Sequence, residues 1–102
     1  MLEIAQVQLQ KAREAESGRS AATVLRGDIL TQTVLALAAG RELAEHENPG
    51  EATLQVLIGR IRLTAGGESW EASVGQWLPI PPARHGLTAL ADSAVLLTVG
   101  RR

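Results

Sequence analysis

The chain has 102 residues, a formal net charge of -1 at pH 7, 45% hydrophobic residues, and no cysteine. This length fits one domain with a single core, and the lack of cysteine excludes disulfides, thiolate metal sites and cysteine nucleophiles. The balanced charge and the near-absence of aromatic residues argue against nucleic acid as a partner, because such binding depends on clustered Lys and Arg and on base stacking.

Residues 2–16 have the periodicity of one helix face. Their apolar or small residues recur at the helical spacing, and most of the intervening residues are good helix formers. The recurring positions are Leu2, Ala5, Leu9 and Ala12. Ser17 and Gly18 supply a stop signal. The sequence therefore predicts a short N-terminal helix that packs on the rest of the domain or on a partner.

From residue 21 onward the pattern changes to short β-strands separated by turn signals, the arrangement typical of a sandwich or barrel. The predicted strands are 22–25, 29–37, 53–58, 61–64, 69–74, 77–80, 87–90 and 94–99. Residues 41–50 are polar and are predicted to form a loop, and Pro79 restricts its strand to a sheet edge or a bulge. We expect an all-β barrel over residues 21–100 within one domain of residues 1–102, since closure protects apolar strand edges.

Two stretches resemble the paired motifs of the cupin superfamily. The positions that match are Gly40, His46 and Gly59 in the first motif and Gly75, Pro81 and His85 in the second. The resemblance covers residues 40–85 and is closest to small single-domain bacterial cupins. It implies a double-stranded β-helix, or jelly-roll, barrel of the RmlC-like type, and it implies a homodimer.

The resemblance also implies a metal-ligand set that this chain holds only in part. Cupins with a metal usually supply two His and a carboxylate or its equivalent from the first motif, and one His from the second. Here the first and last of these positions are His46 and His85, whereas the second is Asn48 and the third is Ala52. Glu51 lies one residue before the third ligand position, so it is expected to face outward unless the Pro49-Gly50 turn shifts the register. A divalent transition metal is therefore expected to bind only weakly, through His46 and His85.

Three functional hypotheses follow. In the first, the chain is a cupin that binds or senses a small molecule in an aliphatic pocket, with an eroded metal site and with His46, Asn48 and His85 as the polar ligand-binding groups. In the second, it is a metal-dependent oxygenase, isomerase or epimerase in which Asn48 or Glu51 completes the shell of a metal on His46 and His85. In the third, it is a structural or regulatory dimer without a ligand. The sequence leaves open whether the protein is an enzyme, and it assigns no catalytic residue.

Other residues have less specific interpretations. Trp70 and Trp77 are the only aromatic residues, and each is expected to fill the core or to line a pocket. The acidic residues of 42–51 are interpreted as a solvated loop, because nothing in the sequence makes two carboxylates face each other as acid and base. The run 29–37 is a candidate dimer-interface strand, since both of its faces are largely apolar or Thr.

No membrane partner is expected, because no apolar run reaches the roughly 18 residues that a spanning helix needs. The first residues lack the basic and apolar pattern of a secretion signal, which predicts a cytoplasmic protein.

Overall fold

The computed structural model describes residues 1–46 and 50–100, without the side chains of Glu45 and His46. The described elements are helix α1 Leu2–Glu14 and strands β1 Arg19–Arg26, β2 Leu30–Leu37, β3 Glu42–His46, β4 Glu51–Ile58, β5 Arg60–Ala65, β6 Glu68–Ser73, β7 Trp77–Ile80, β8 His85–Ala89 and β9 Ser93–Gly100. They form a five-stranded sheet in the order β1-β2-β9-β4-β7 and a four-stranded sheet in the order β3-β8-β5-β6. All of the pairings are antiparallel, which confirms the predicted jelly-roll with an N-terminal helix.

The core lies between the two sheets, where most strands contribute alternate residues. In β4, for example, Leu54 and Val56 are buried, whereas Glu51 and Gln55 are exposed, because successive side chains of a strand point to opposite faces. The buried members of this core are Leu35, Leu37, Leu54, Val56, Ile61, Leu63, Ala72, Leu87, Ala89 and Val95. All of them are aliphatic, as the composition requires.

Helix α1 covers part of the outer face of the five-stranded sheet. Small side chains on both surfaces allow the helix to approach the sheet closely, and they form a second apolar cluster. Its buried members are Ala5, Leu9, Ala12, Val34, Ala36 and Ala94. The helix therefore packs on the outer face of a sheet and does not cover one end of the barrel.

The helix differs from the prediction in its end and in one buried position. It ends at Glu14 instead of residue 16, and Gly18 follows with a φ of +69°, a conformation that suits glycine. Leu2 is 55% exposed, whereas Gln8 is buried. The buried amide is compensated because the Ser20 hydroxyl of β1 donates a hydrogen bond to it.

Strand β3 lies inside the segment that was predicted to be a loop, so that prediction was wrong for Glu42–His46. Strand β3 has no recognisable hydrophobic pattern, because Leu43 is its only described residue that packs against the core. Strand β7, in contrast, is the edge strand that Pro79 predicted.

Strand β2 is hydrogen-bonded on both sides, to β1 and to β9. A partner chain therefore cannot extend the sheet at this strand and could meet only the part of its outer face that α1 leaves open, where Leu30 is exposed. The homodimer stays a prediction. Among the described residues, the one helix is too short and too polar to cross a membrane.

Gly59 is the single residue between β4 and β5, where the chain leaves one sheet and enters the other. Its φ is +83°, and a Cβ atom there would overlap the Asp92 carbonyl oxygen and the Ser93 hydroxyl. The Ser93 hydroxyl is buried, accepts a hydrogen bond from the Arg60 N–H at 3.0 Å and donates one to the Ala91 carbonyl at 2.7 Å. The crossing is thus fixed against the turn that joins β8 to β9.

Asp92 ties the same turn to two further segments. One carboxylate oxygen accepts a hydrogen bond from Arg13 Nε of α1 at 2.7 Å, and the other accepts one from the Ala39 N–H at 2.8 Å. The hydrogen bond from Arg13 lowers the pKa of the Asp92 carboxyl below its ordinary value of 3.8, and the hydrogen bond from Ala39 lowers it further. The charged form of Asp92 therefore favours the folded state.

Gly59→Ala is expected to lower the free energy of unfolding more than Gly75→Ala does. Both glycines have the same backbone conformation, with φ of +83° and +84°, so both variants incur about 1–3 kcal/mol of left-handed strain. The new methyl group at position 59 would in addition overlap backbone atoms, whereas nothing lies within 4 Å of a methyl group at position 75. Urea unfolding measures both variants, and equal losses would contradict this account of the crossing.

Asp92→Asn is expected to lower stability at pH 7 by at most about 1 kcal/mol, since the pair with Arg13 is exposed. Because the folded-state pKa lies below the unfolded-state value, the difference should persist above the ordinary pKa and vanish as the pH falls through the lowered one. Unfolding midpoints of both proteins from pH 7 down to pH 2 test this, with Arg13→Gln as the matched variant. A difference that is independent of pH would show that the charge of Asp92 is not its source.

Candidate functional site

The described ligand positions of the two motifs, unlike their glycines, lie towards one end of the barrel. Ala52 of β4 pairs with Ile80 of β7 in the five-stranded sheet, and Ala65 of β5 pairs with His85 of β8 in the four-stranded sheet. Only residues 81–84 separate Ile80 from His85 along the chain, so these two pairs lie close together. We call this region, defined by Ala52, Ala65, Ile80 and His85, the motif end.

His85 is the buried polar side chain of the motif end, with 5% of its surface exposed. Its Nδ1–H donates a hydrogen bond to the Ala83 carbonyl at 3.0 Å. Because a carbonyl oxygen can only accept, Nδ1 carries a proton. A backbone carbonyl in this role is a common way to orient a ligand-binding imidazole.

A β-bulge in β3 determines which position lies opposite His85. Leu43 pairs with Leu87, but further along the strand His46 pairs with His85, which leaves one extra residue on β3. Without that residue, Glu45 would lie opposite His85. The register therefore brings the two predicted histidine positions together as cross-strand partners.

The predicted roles of His46 and Asn48 stay predictions. The side chain of His46 lies outside the described part of the structure, as does the whole of Asn48. The geometry of a site that uses His46, Asn48 and His85 therefore rests on the backbone register and on His85.

The third ligand position of the family is occupied by an inward-facing alanine. Ala52 is buried on the same side of β4 as Leu54 and Val56, and its methyl group cannot coordinate a metal. Glu51 is exposed and lies on the opposite face, which agrees with the orientation expected from its one-residue offset. Where side chains are described, no three His, Cys, Asp or Glu groups lie together in a way that could hold a metal ion. Among the described residues, Ala52 therefore leaves the third position of that ligand set without a donor.

The acidic residues of the first motif do not form an acid–base pair where they are described. Glu42 and Glu51 are both exposed, and they lie in different sheets. This agrees with their interpretation as solvated side chains.

An apolar cleft of about 360 Å³ opens between the edge strands of the two sheets. We call it the Trp70 cleft. It is lined by Leu63, Trp70, Leu78, Pro79, Ile80, Pro81 and Pro82. His85 is not among the lining residues, but the cleft ends at the segment that leads into it. In that segment the Ala83 N–H donates a hydrogen bond to the Pro81 carbonyl at 2.8 Å, which links the lip of the cleft to the residue that orients His85.

A second, wider groove of about 760 Å³ lies at the uncovered part of the five-stranded sheet, beyond helix α1. We call it the outer groove. Its lining includes Ile29, Leu30, Thr53, Trp77, Pro79 and Thr98. Trp77 is 56% exposed, so of its two expected roles, core filling and pocket lining, the structure agrees with the second. It pairs with Gln55, an outward-facing position of β4, which explains why the ring lies outside.

No protein-family model matches the chain, and no curated protein matches it. Solved structures do match. A conserved protein of unknown function from Streptococcus pyogenes is 27% identical with a TM-score of 0.78, over 86% of this chain and 78% of that chain.

Two further solved structures carry a family description. An RmlC-like cupin from Desulfovibrio desulfuricans is 28% identical with a TM-score of 0.71, over 80% of this chain and 81% of that chain. A cupin superfamily protein from Desulfitobacterium hafniense is 15% identical with a TM-score of 0.77, over 82% of this chain and 78% of that chain, a likeness that concerns the fold alone.

Ala52→Glu is expected to tighten Zn²⁺ binding at least ten-fold, because it places a carboxylate on the inner face of β4 at the end that holds His85. Glu51→Gln is the matched control and should leave the affinity unchanged, since position 51 faces outward. Calorimetric titration of chelator-treated proteins measures both variants. A folded Ala52→Glu variant with unchanged affinity would show that position 52 is not within reach of the histidines.

Proposed function

Because the chain belongs to the cupin superfamily, we propose that it binds or senses a small molecule at the motif end of its barrel, without a resident metal. One observation carries this proposal. The inner face of β4 presents Ala52 where a metal-bearing cupin presents a ligand, while the carboxylate of Glu51 lies outside the barrel. The barrel is retained, and its coordinating chemistry is incomplete.

The residues of the motif end can bind an organic molecule by ordinary recognition. Ala52 and Ile80 offer apolar contacts, and His85 offers a buried imidazole whose Nδ1 is already bonded to backbone. A buried imidazole can exchange a hydrogen bond with a hydroxyl or amide of the ligand, and such a bond is strengthened where water is excluded. His46 and Asn48 are the further polar groups of this proposal. A few polar groups in an otherwise apolar lining are typical of small-molecule sites.

The two alternatives find less support. A metal-dependent enzyme needs three or four protein ligands, and in the described part of the chain neither Ala52 nor the outward-facing Glu51 supplies one beside His85. A ligand-free structural protein needs a filled interior, whereas the Trp70 cleft leaves about 360 Å³ open beside the core.

Titration of tag-free, chelator-stripped protein with Mn²⁺, Fe²⁺, Ni²⁺, Cu²⁺ and Zn²⁺ is expected to show no tight binding at one ion per chain. Two imidazoles and an amide leave a transition metal largely hydrated, so the metal stays weakly held. Isothermal calorimetry measures the stoichiometry, and His85→Ala is the matched variant. Tight binding of one ion that is lost in His85→Ala would overturn the proposal and favour the metal-dependent enzyme.

A further inference from the structure

We propose that the Trp70 cleft selects uncharged ring compounds of one or two rings and rejects their carboxylated or phosphorylated counterparts. This inference goes beyond the proposed function, which concerns the motif end, because it assigns a ligand class to the neighbouring cleft. It concerns the cleft between the sheet edges and requires no metal.

The lining of the cleft carries the argument for an uncharged ligand. Every side chain that lines it is apolar, from Leu63 and Trp70 on one sheet to Leu78 and Ile80 on the other. An anionic group placed against such a lining loses its hydration and gains no ion pair or charged hydrogen bond, which is costly. Apolar contact, in contrast, is favourable in proportion to the area removed from water.

The size of the cleft limits the ligand to one or two rings. A dry, apolar cavity of about 150 Å³ in a protein binds benzene. The Trp70 cleft, at about 360 Å³, offers roughly twice that space. Its volume lies at the lower end of the range found for ligand pockets, about 300–1,000 Å³.

The rigidity of the cleft favours a flat ring over a flexible chain. Pro79, Pro81 and Pro82 line one side, and their φ angles are fixed by the pyrrolidine ring. The hydrogen bond from the Ala83 N–H to the Pro81 carbonyl further fixes the lip. The indole of Trp70 offers a flat surface to which another ring can stack or present its edge. A rigid site loses less entropy when it binds a rigid molecule.

The two tryptophans allow a direct test, because each reports on a different concave surface. Trp70 lines the cleft and Trp77 lines the outer groove, and the chain has only two indole N–H groups. In a ¹⁵N-labelled sample the two indole signals are resolved, and the Trp77→Phe variant assigns them. Benzyl alcohol and benzoate are the matched probes at pH 7, since they share the ring and differ in charge.

The expected result is a saturable shift of the Trp70 signal with benzyl alcohol, an unchanged Trp77 signal, and an apparent Kd at least ten-fold weaker for benzoate. Leu78→Phe, at a position that lines the cleft and not the outer groove, should weaken the binding of benzyl alcohol, whereas Trp77→Phe should not. The unfolding midpoint of each variant shows that it is folded.

The contrary results are distinguishable. If benzoate shifts the Trp70 signal with the same affinity as benzyl alcohol, the cleft binds small molecules but does not select uncharged ones, so the inference fails and the proposed function stands. If neither probe shifts the Trp70 signal, or if the Trp77 signal alone responds, the cleft is not a ligand site and the inference fails. A naphthalene-2-methanol titration with the same null result would also remove the support that the cleft gives to the proposed function.

Discussion

A side chain on a β-strand can face only one side of its sheet, and both the core and the candidate site depend on the register that this imposes. Strand β4 shows the constraint most clearly. Ala52, Leu54 and Val56 are buried between the sheets, while Glu51 and Gln55 are exposed on the other face. The register cannot slip by one residue without placing Glu51 in the core, so the packing that stabilises the barrel also holds this carboxylate outside it. The crossing at Gly59, fixed against Asp92 and Ser93, anchors the far end of the strand.

Strand β8 connects stability and recognition in the same way. Leu87 and Ala89 are part of the core, and His85 lies two residues before Leu87 on the same face. The imidazole is therefore positioned by the strand that the core already fixes, and the Ala83 carbonyl accepts the hydrogen bond from its Nδ1–H. On the neighbouring β3, the pairing with β8 would place a glutamate opposite His85 were it not for the bulge before His46. Bulges commonly redirect a side chain next to a functional site, and this bulge changes which residue of β3 lies opposite His85.

Much of the fold could be predicted from residues that follow local rules. The alternating strands, the edge position of the strand with Pro79, and the exposed side of Glu51 all follow from the two-residue period and from the chemistry of proline. Strand β3 could not be recognised, because a strand at the edge of a sheet with one core residue has almost no hydrophobic pattern. Gln8 was missed because its partner, Ser20, lies on another element. The Trp70 cleft has no local signature at all, since its lining comes from β5, β6, β7 and the proline segment, and its volume depends on the separation of two sheet edges.

The combination of a retained histidine and a missing carboxylate has a physical explanation. A carboxylate on the inner face of β4 would be stable only with a cation beside it, because a buried charge without a partner costs several kcal/mol or shifts its pKa until it is neutral. An alanine at position 52 removes that requirement, and a glutamate at position 51 places the charge in water. A histidine meets a weaker constraint, because an imidazole can be buried when its N–H has an acceptor, and the Ala83 carbonyl provides one for Nδ1–H. The alanine at position 52 therefore lets the barrel pack without a charged group on the inner face of β4, while His85 keeps a buried hydrogen-bonding group on β8.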